Sequence, residues 1–259
     1  MERIKIAIIG QGRSGRNIHG KFFKSESNTF CDVVAVVELD EERRNRALEE
    51  YPGCCVYSDY RELLGQTDID LVVNASFSDM HYAITKDLLL HGMNVIVEKP
   101  MARNYYECCD LIKTAKEHNA VLAVFHQSLL APYHVVPKEI AASGKLGEIK
   151  QVTLHFNGLS RRWDWQTLQY RLGGSLYNTG PHPVGFALDV LGFSPDARVA
   201  YSKLDLAMTS GDAEDYVKII MTAPGKPVVD IEISSMDAYS NFQIKFQGTL
   251  GTLQTTAKG

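Results

Sequence analysis

The stretch Ile4-Lys5-Ile6-Ala7-Ile8-Ile9-Gly10-Gln11-Gly12-Arg13-Ser14-Gly15 decides the fold. Its first six residues are apolar at all but one position and barely alternate, the pattern of a strand buried on both faces. A glycine-rich turn follows at once, and a helical pattern opens behind it over 14–24. In such a strand–turn–helix unit Gly10 permits the tight turn, Gly12 lets the backbone approach a pyrophosphate, and Gly15 allows helix and strand to pack closely. With Gln11, Arg13 and Ser14 these residues form a loop whose N–H groups, at the positive end of the helix dipole, suit a dinucleotide. Glu38 stands twenty-three positions beyond Gly15, at the end of the next Val-rich run. A carboxylate there grips ribose hydroxyls and repels a 2′-phosphate, so the expected cofactor is NAD rather than NADP. Arg43 and Arg44 could turn back toward the ribose and favour NADP. Asp40 is a rival for the ribose, though it also suits the cap of the helix that follows. A plain glycine turn in an α/β domain is the alternative for the whole loop.

Outward from this unit, short apolar runs at 33–37, 70–74, 94–97 and 121–125 alternate with helical patterns at 41–50, 79–91 and 104–118. Asp79 is placed to cap the third helix, with Ile84 and Leu88 on its inner face. Strands alternating with helices imply right-handed crossovers and a Rossmann-type, doubly wound parallel sheet over residues 1–125. Beyond residue 125 the texture changes. The sequence predicts a short helix at 137–143, with Pro137 at its start or at a kink, and then a strand at 148–157. An irregular Trp/Arg stretch at 160–172 and a helix at 181–192 come next. Strand patterns at 198–208, 215–222, 228–235 and 242–247 then succeed one another without helices between them. This implies an α+β domain over 126–259 with a mostly antiparallel sheet.

Lys and Arg number 27 against 31 Asp and Glu, a formal charge of −4. Without a basic tract, this balance argues against nucleic acid or an anionic membrane as partner. Apolar residues at 45% and charged residues at 22% describe a folded chain. No apolar run approaches the ~18 residues of a membrane helix, and the N-terminus has no secretory pattern, so the expected location is the cytoplasm. The five cysteines, at 31, 54, 55, 108 and 109, form no C-x-x-C. They read as reduced structural thiols, with no metal site, and Cys108 joins Leu111, Ile112 and Ala115 in a helical core stripe.

Lys99 follows directly on Val95-Ile96-Val97-Glu98, at the carboxyl end of a parallel strand, where such sheets bind ligands. It is either a surface lysine or a group that hydrogen-bonds a substrate hydroxyl and helps its proton leave. His182 lies in the first turn of the helix marked by Val184, Ala187, Leu188 and Leu191, between Pro181 and Pro183. The dipole there favours neutral imidazole, able to accept a proton; a structural histidine is the other reading. Trp163 and Trp165 fall in Arg161-Arg162-Trp163-Asp164-Trp165. They serve either to stack on the C–H faces of a sugar or to pack a loop with its own aromatics.

Taken together these residues resemble the Gfo/Idh/MocA family of oxidoreductases, named for glucose–fructose oxidoreductase and inositol dehydrogenase. The resemblance spans the Gly10–Gly15 loop, the Ser76…His81 segment, Glu98-Lys99-Pro100, Gly144-Lys145-Leu146-Gly147 and the Gly173–His182 stretch. It implies NAD or NADP in the first domain, with Ser76, His81, Glu98 and Lys99 at the cofactor. Lys99 is implied to contact substrate and nicotinamide, and His182 to serve as acid/base. Asn178 replaces a frequent Asp, Leu129 stands where an Arg is usual, and Phe77-Ser78 replaces a common Pro-Asn. The chain also stops at Gly259, soon after Gly248-Thr249-Leu250-Gly251, which predicts a second sheet shortened at the C-terminus. The implied function is an NAD-dependent dehydrogenase moving hydride between a sugar-like or cyclitol secondary alcohol and nicotinamide. Lys99, Trp163, Trp165, Asn178 and His182 would meet the substrate, and a homo-oligomer would form through the second sheet. The alternatives are a non-catalytic NAD-binding sensor and an NAD-dependent glycosidase.

Overall fold

The structure, a computed structural model, describes residues 2–256 and divides into two compact units that meet in sequence at Phe125 and His126. In the first, six parallel strands stand in the order β3-β2-β1-β4-β5-β6. They are β1 (Ile4–Ile9), β2 (Cys31–Val37), β3 (Cys55–Tyr57), β4 (Leu71–Asn74), β5 (Val95–Glu98) and β6 (Leu122–Phe125). The helices are α1, a wide turn over Arg13–His19 that runs into Gly20–Phe23, α2 (Glu41–Glu50), α3 (His81–Leu90) and α4 (Tyr105–Glu117).

The lack of alternation in β1 has a direct cause. Ile6 and Ile8 pack into one core with Val36, Ala47 and Val73, while Ala7 and Ile9 pack into the other with Val72, Leu88 and Val97. Successive side chains point to opposite faces, and both faces are covered. The strand order reverses between β1 and β4, and crevices at such switch points are where open α/β sheets take their ligands.

Three sequence expectations are corrected in this unit. The three-residue β3 was not expected; it is too short to carry a hydrophobic period. Asp79 does not cap α3: a tight turn over Ser78–Met80 precedes the helix, Met80 holds the cap position, and no side chain caps it. Ile112 of the expected α4 stripe is 45% exposed, and Thr114 is buried in its place beside Leu111 and Ala115.

The second unit is built on a six-stranded sheet of order β12-β11-β7-β10-β9-β8. Its strands are β7 (Ile149–Asn157), β8 (Arg198–Asp205), β9 (Tyr216–Thr222), β10 (Val228–Ser234), β11 (Phe242–Gly248) and β12 (Thr252–Thr256). All neighbours are antiparallel except β7 and β10, which run parallel. Helices α5 (Pro132–Ala142), α6 (Ser175–Asn178) and α7 (Pro181–Val190) accompany it. Phe186 and Ala187 of α7, with Leu191 just beyond it, share a core with Val152, Leu154, Val217, Ile231 and Phe246 of the sheet.

Helix α5 starts five residues earlier than the sequence suggested. Pro132 occupies its first turn, where no N–H is needed, and Pro137 is accommodated inside the helix. Strand β12 was also unforeseen. It returns from β11 through a turn in which the Gly248 N–H donates to the Gly251 carbonyl at 2.9 Å. Gly147 packs against that turn at φ +69°, with no room for a side chain: a Cβ would lie 2.4 Å from Thr249 Oγ1. Among the described residues no helix is long and apolar enough to cross a membrane, and the five thiols are free.

Candidate active site

The loop after β1 is shaped by what its glycines exclude and admit. Gly10 has φ +92°, and a Cβ there would lie 2.4 Å from the carbonyl oxygen of Ala75, at the end of the neighbouring β4. A Cβ on Gly15 would lie 1.9 Å from the Gly10 carbonyl. Both positions join backbone to backbone at the switch point. Gly12 differs: a Cβ would meet nothing within 4 Å, so the loop keeps open space above it, as a pyrophosphate requires. Behind it the helix opens, with the Arg16 N–H on the Gly12 carbonyl at 3.0 Å. The residues present therefore fit a dinucleotide.

Glu38, just past β2, closes one side of this cradle. Its Oε2 accepts the Gln11 N–H at 2.7 Å and its Oε1 the Asp40 N–H at 3.1 Å. Arg43 Nη1 stands 3.7 Å from Oε2, and Arg44 donates to the Glu38 carbonyl at 2.7 Å and the Leu39 carbonyl at 2.8 Å. Asp40 is the cap of α2, accepting the Arg43 N–H at 2.9 Å. Both guanidinium groups thus already lie at the end of β2.

The other side of the cradle is buried and polar. Glu98, at the end of β5, places Oε1 3.0 Å from His19 Nε2 and accepts the Lys99 N–H on Oε2 at 3.2 Å. Both side chains are about 5% exposed, and the His19 ring packs on Phe125. Lys99 is joined to Pro100 by a cis peptide. His81 ties this turn to the loop after β4: its Nδ1 lies 2.7 Å from the Pro100 carbonyl and its Nε2 3.1 Å from the Ser76 carbonyl. Burial pushes the His81 pKa down, against the upward pull of the two carbonyls. Ser76 is itself held by Asn74, whose Oδ1 accepts the Ser76 hydroxyl at 2.7 Å. His19 and Asn74 were not singled out in the sequence. The only signal for His19 was its place four residues after Gly15.

In the second unit His182 sits in the first turn of α7, and its Nδ1 is 2.8 Å from Ser128 Oγ. Ser128 is 2% exposed and lies fifty-four residues upstream, in a turn over Gln127–Leu130. The His126 ring is 5.4 Å from the His182 ring, and Gly185 leaves room for it: a Cβ there would lie 2.7 Å from His126 Cε1.

The segment leading to α7 passes a cavity of about 250 Å³. Asn178, Thr179, Asn157, Ser160, Arg162 and Glu214 are among the residues that line it. Glu214 carries no sequence signal. Its Oε1 accepts the Leu176 N–H at 2.8 Å, and burial raises its pKa. Gly174, at φ +94°, passes so close that a Cβ would lie 2.4 Å from the Glu214 carboxylate. Neither tryptophan lines this cavity. Trp163 is 75% exposed beneath the Arg161 guanidinium, and Trp165 begins a short turn whose Gln166 N–H is capped by Asp164. Among the described residues no cluster of three or more His, Cys, Asp or Glu could hold a metal ion.

Comparison with known proteins adds two family matches. Residues 4–126 match the model of an oxidoreductase family with an NAD-binding Rossmann fold, and residues 136–254 match the GFO/IDH/MocA C-terminal domain. An oxidoreductase of Schizosaccharomyces pombe is 26% identical over 97% of this chain and 70% of its own length. The 2,7-anhydro-N-acetylneuraminate hydratase of Mediterraneibacter gnavus is 25% identical over 98% of this chain and 67% of its own. The crystal structure of GenD2 from gentamicin A biosynthesis, in complex with NAD, superposes with a TM-score of 0.88 at 25% identity, covering 99% of this chain and 73% of that one.

Proposed function

The chain belongs to the Gfo/Idh/MocA family of NAD-binding oxidoreductases, and on that premise we propose that it transfers hydride between NAD and a sugar-like or cyclitol secondary alcohol. The observation that carries the substrate class is the cavity in the second unit. Its wall is rich in amide, hydroxyl and carboxylate groups, Asn157, Ser160, Asn178, Thr179 and Glu214 among them, which exchange hydrogen bonds with hydroxyl groups. The volume of about 250 Å³ suits a monosaccharide-sized ligand. NAD, when bound, supplies the hydride acceptor at nicotinamide C4.

The chain supplies the rest. The Gly10–Gly15 loop binds the pyrophosphate, Glu38 holds the ribose diol, and Glu98 fixes the turn that presents Lys99. Ser76 and His81 brace that turn from the neighbouring loop. His182 serves as acid/base for the hydroxyl proton, and Lys99 hydrogen-bonds a substrate hydroxyl. The loop that carries Trp163 and Trp165 reaches the cavity through Ser160, Arg162 and Gln166, while the two tryptophans stay outside its wall. The same reading places self-association on the second unit's sheet, whose edge strand β8 leaves Val199, Tyr201 and Leu204 about half exposed. It places the protein in the cytoplasm.

Incubation with NAD and a panel of sugars and polyols, followed by NADH absorbance, tests the reading. NADH formation that is lost in Lys99→Ala and His182→Ala supports it, and NAD binding without turnover on any member overturns it. The hydratase relative favours one variation, in which the substrate is oxidised, gains or loses water and is reduced again. Product formation with NAD recovered unchanged identifies that case.

A further inference from the structure

We propose that Ser128 is the positioning residue of His182: its buried hydroxyl accepts from Nδ1–H and so assigns the acid/base work to Nε2. The inference rests on the reading of His182 as the acid/base and goes beyond it by naming the nitrogen and the group that selects it.

The geometry starts from the contact at 2.8 Å between Ser128 Oγ and His182 Nδ1. Ser128 is 2% exposed, so bulk water does not compete for the hydroxyl. A neutral imidazole carries one N–H, and the hydrogen bond made by one nitrogen decides the state of the other. If His182 takes a proton from an alcohol, it takes it on the nitrogen that Ser128 does not hold, which is Nε2. Before the transfer Nε2 carries the lone pair, so Nδ1 carries hydrogen. After the transfer both nitrogens carry hydrogen. In each state Nδ1–H is the donor, and Ser128 must accept.

Burial pushes the pKa of the half-buried Tyr133 up, and a hydrogen bond with Ser128 works against it. Tyr133 is thus a second partner for the Ser128 hydroxyl, so the serine hydrogen has a place to go when Nδ1–H donates. The position of His182 in the first turn of α7 acts in the same sense, because the positive end of a helix disfavours a second proton on the resting ring. Ser128 and Tyr133 come from the turn and helix before β7, so the ring is gripped from elements outside its own helix.

The test uses the full chain with 15N-labelled histidine, the His182 signals being assigned by their loss in His182→Gln. Expected in the wild type is the tautomer with hydrogen on Nδ1 and the lone pair on Nε2. Ser128→Ala should move His182 toward the opposite tautomer or a mixture, and Ser128→Thr, which keeps the hydroxyl, should restore the wild-type signals. In turnover, Ser128→Ala should lower kcat/KM about 10- to 100-fold with the Kd for NAD unchanged. A wild-type ring with hydrogen on Nε2, or a tautomer unmoved by Ser128→Ala, overturns the proposal. The spectra report on the ring whether or not any alcohol is oxidised. A chain that shows the expected tautomer but no turnover on any substrate refutes the dehydrogenase reading while leaving the positioning of the ring intact.

Discussion

If NAD is chosen over NADP by the carboxylate of Glu38, as proposed, Glu38→Gln is the change that isolates its charge. Glu38 is half of a structural latch, because its Oε2 accepts the Gln11 N–H at 2.7 Å. Glutamine keeps an acceptor oxygen for that bond, while the exposed Asp40 N–H loses its acceptor and turns to water, so the loop stays anchored at a small cost in melting temperature. What is lost is the repulsion of a 2′-phosphate. Two unit charges about 5 Å apart interact by about 3 kcal/mol at an effective dielectric of about 20. Arg43 lies 3.7 Å from the carboxylate and cancels part of this, though its side chain is 46% exposed and solvent screens it. A net penalty of about 1.4 kcal/mol remains, so wild-type protein should bind NAD at least ~10-fold tighter than NADP. In Glu38→Gln the NADP affinity should rise about tenfold, while NAD loses a charge-assisted hydrogen bond and binds a few-fold more weakly. Arg43 is already in place at the end of β2, so adding Arg43→Ala to Glu38→Gln should reverse much of the NADP gain. Calorimetric titration of both nucleotides against the three proteins measures this. Equal binding of the two nucleotides by the wild type, or an unchanged ratio in Glu38→Gln, refutes the assignment of Glu38 as the discriminating group.

Gly15→Ala places a methyl 1.9 Å from the Gly10 carbonyl, backbone against backbone. It should abolish NAD binding and destabilise the first unit, as read by titration and thermal melting. Tyr51 buries its hydroxyl without a hydrogen-bond partner, and burial pushes its pKa up to about 12. Tyr51→Phe should therefore stabilise the protein by about 1 kcal/mol in a denaturant melt, and a loss of stability would show that the hydroxyl is satisfied. His81 has its pKa lowered in the fold by burial, so the unfolded chain takes up the proton first as pH falls below the ordinary value of 6.5. The stability it lends is complete above that value and declines from there toward the lower folded pKa. His81→Gln should flatten the fall in stability between pH 7 and 5 in urea melts, and an unchanged slope would remove His81 from the account.

The first unit was legible because its signals are local. A strand covered on both faces needs an unbroken apolar run, and the run from Ile4 to Ile9 is one. A tight turn onto a helix needs glycine where Gly10 and Gly15 meet backbone. The cap at Asp40 also works through a neighbour three residues away. Misreadings came where the local signal was short or overruled. Strand β3 has three residues and no period to detect. Asp79 is a good capping residue, but a tight turn over Ser78–Met80 precedes the helix. Pro137 is a helix breaker by local rules, yet α5 runs through it, with a core made by Tyr133, Ile140 and Ala141 against the sheet.

The site divides along the same line. The glycine loop and the strand-end positions of Glu38 and Lys99 could be read from spacing, because the backbone alone sets them. The groups that hold the polar side chains could not, because each reaches across tens of residues: His19 to Glu98 over 79 positions, Ser128 to His182 over 54, Glu214 to Leu176 over 38. A buried polar atom must find a partner, but nothing in the linear sequence says which one. Asn178 illustrates the limit. The structure places Asn178 on the cavity wall and gives the imidazole Nδ1 of His182, four residues on, a serine from another element. Two neighbours on one short segment thus meet different surroundings, which is why a substitution at 178 should act on substrate affinity and one at 128 on the proton. Measuring KM and kcat separately for Asn178→Ala and Ser128→Ala draws that distinction, and a shared effect on both parameters would mean the two residues act as one unit.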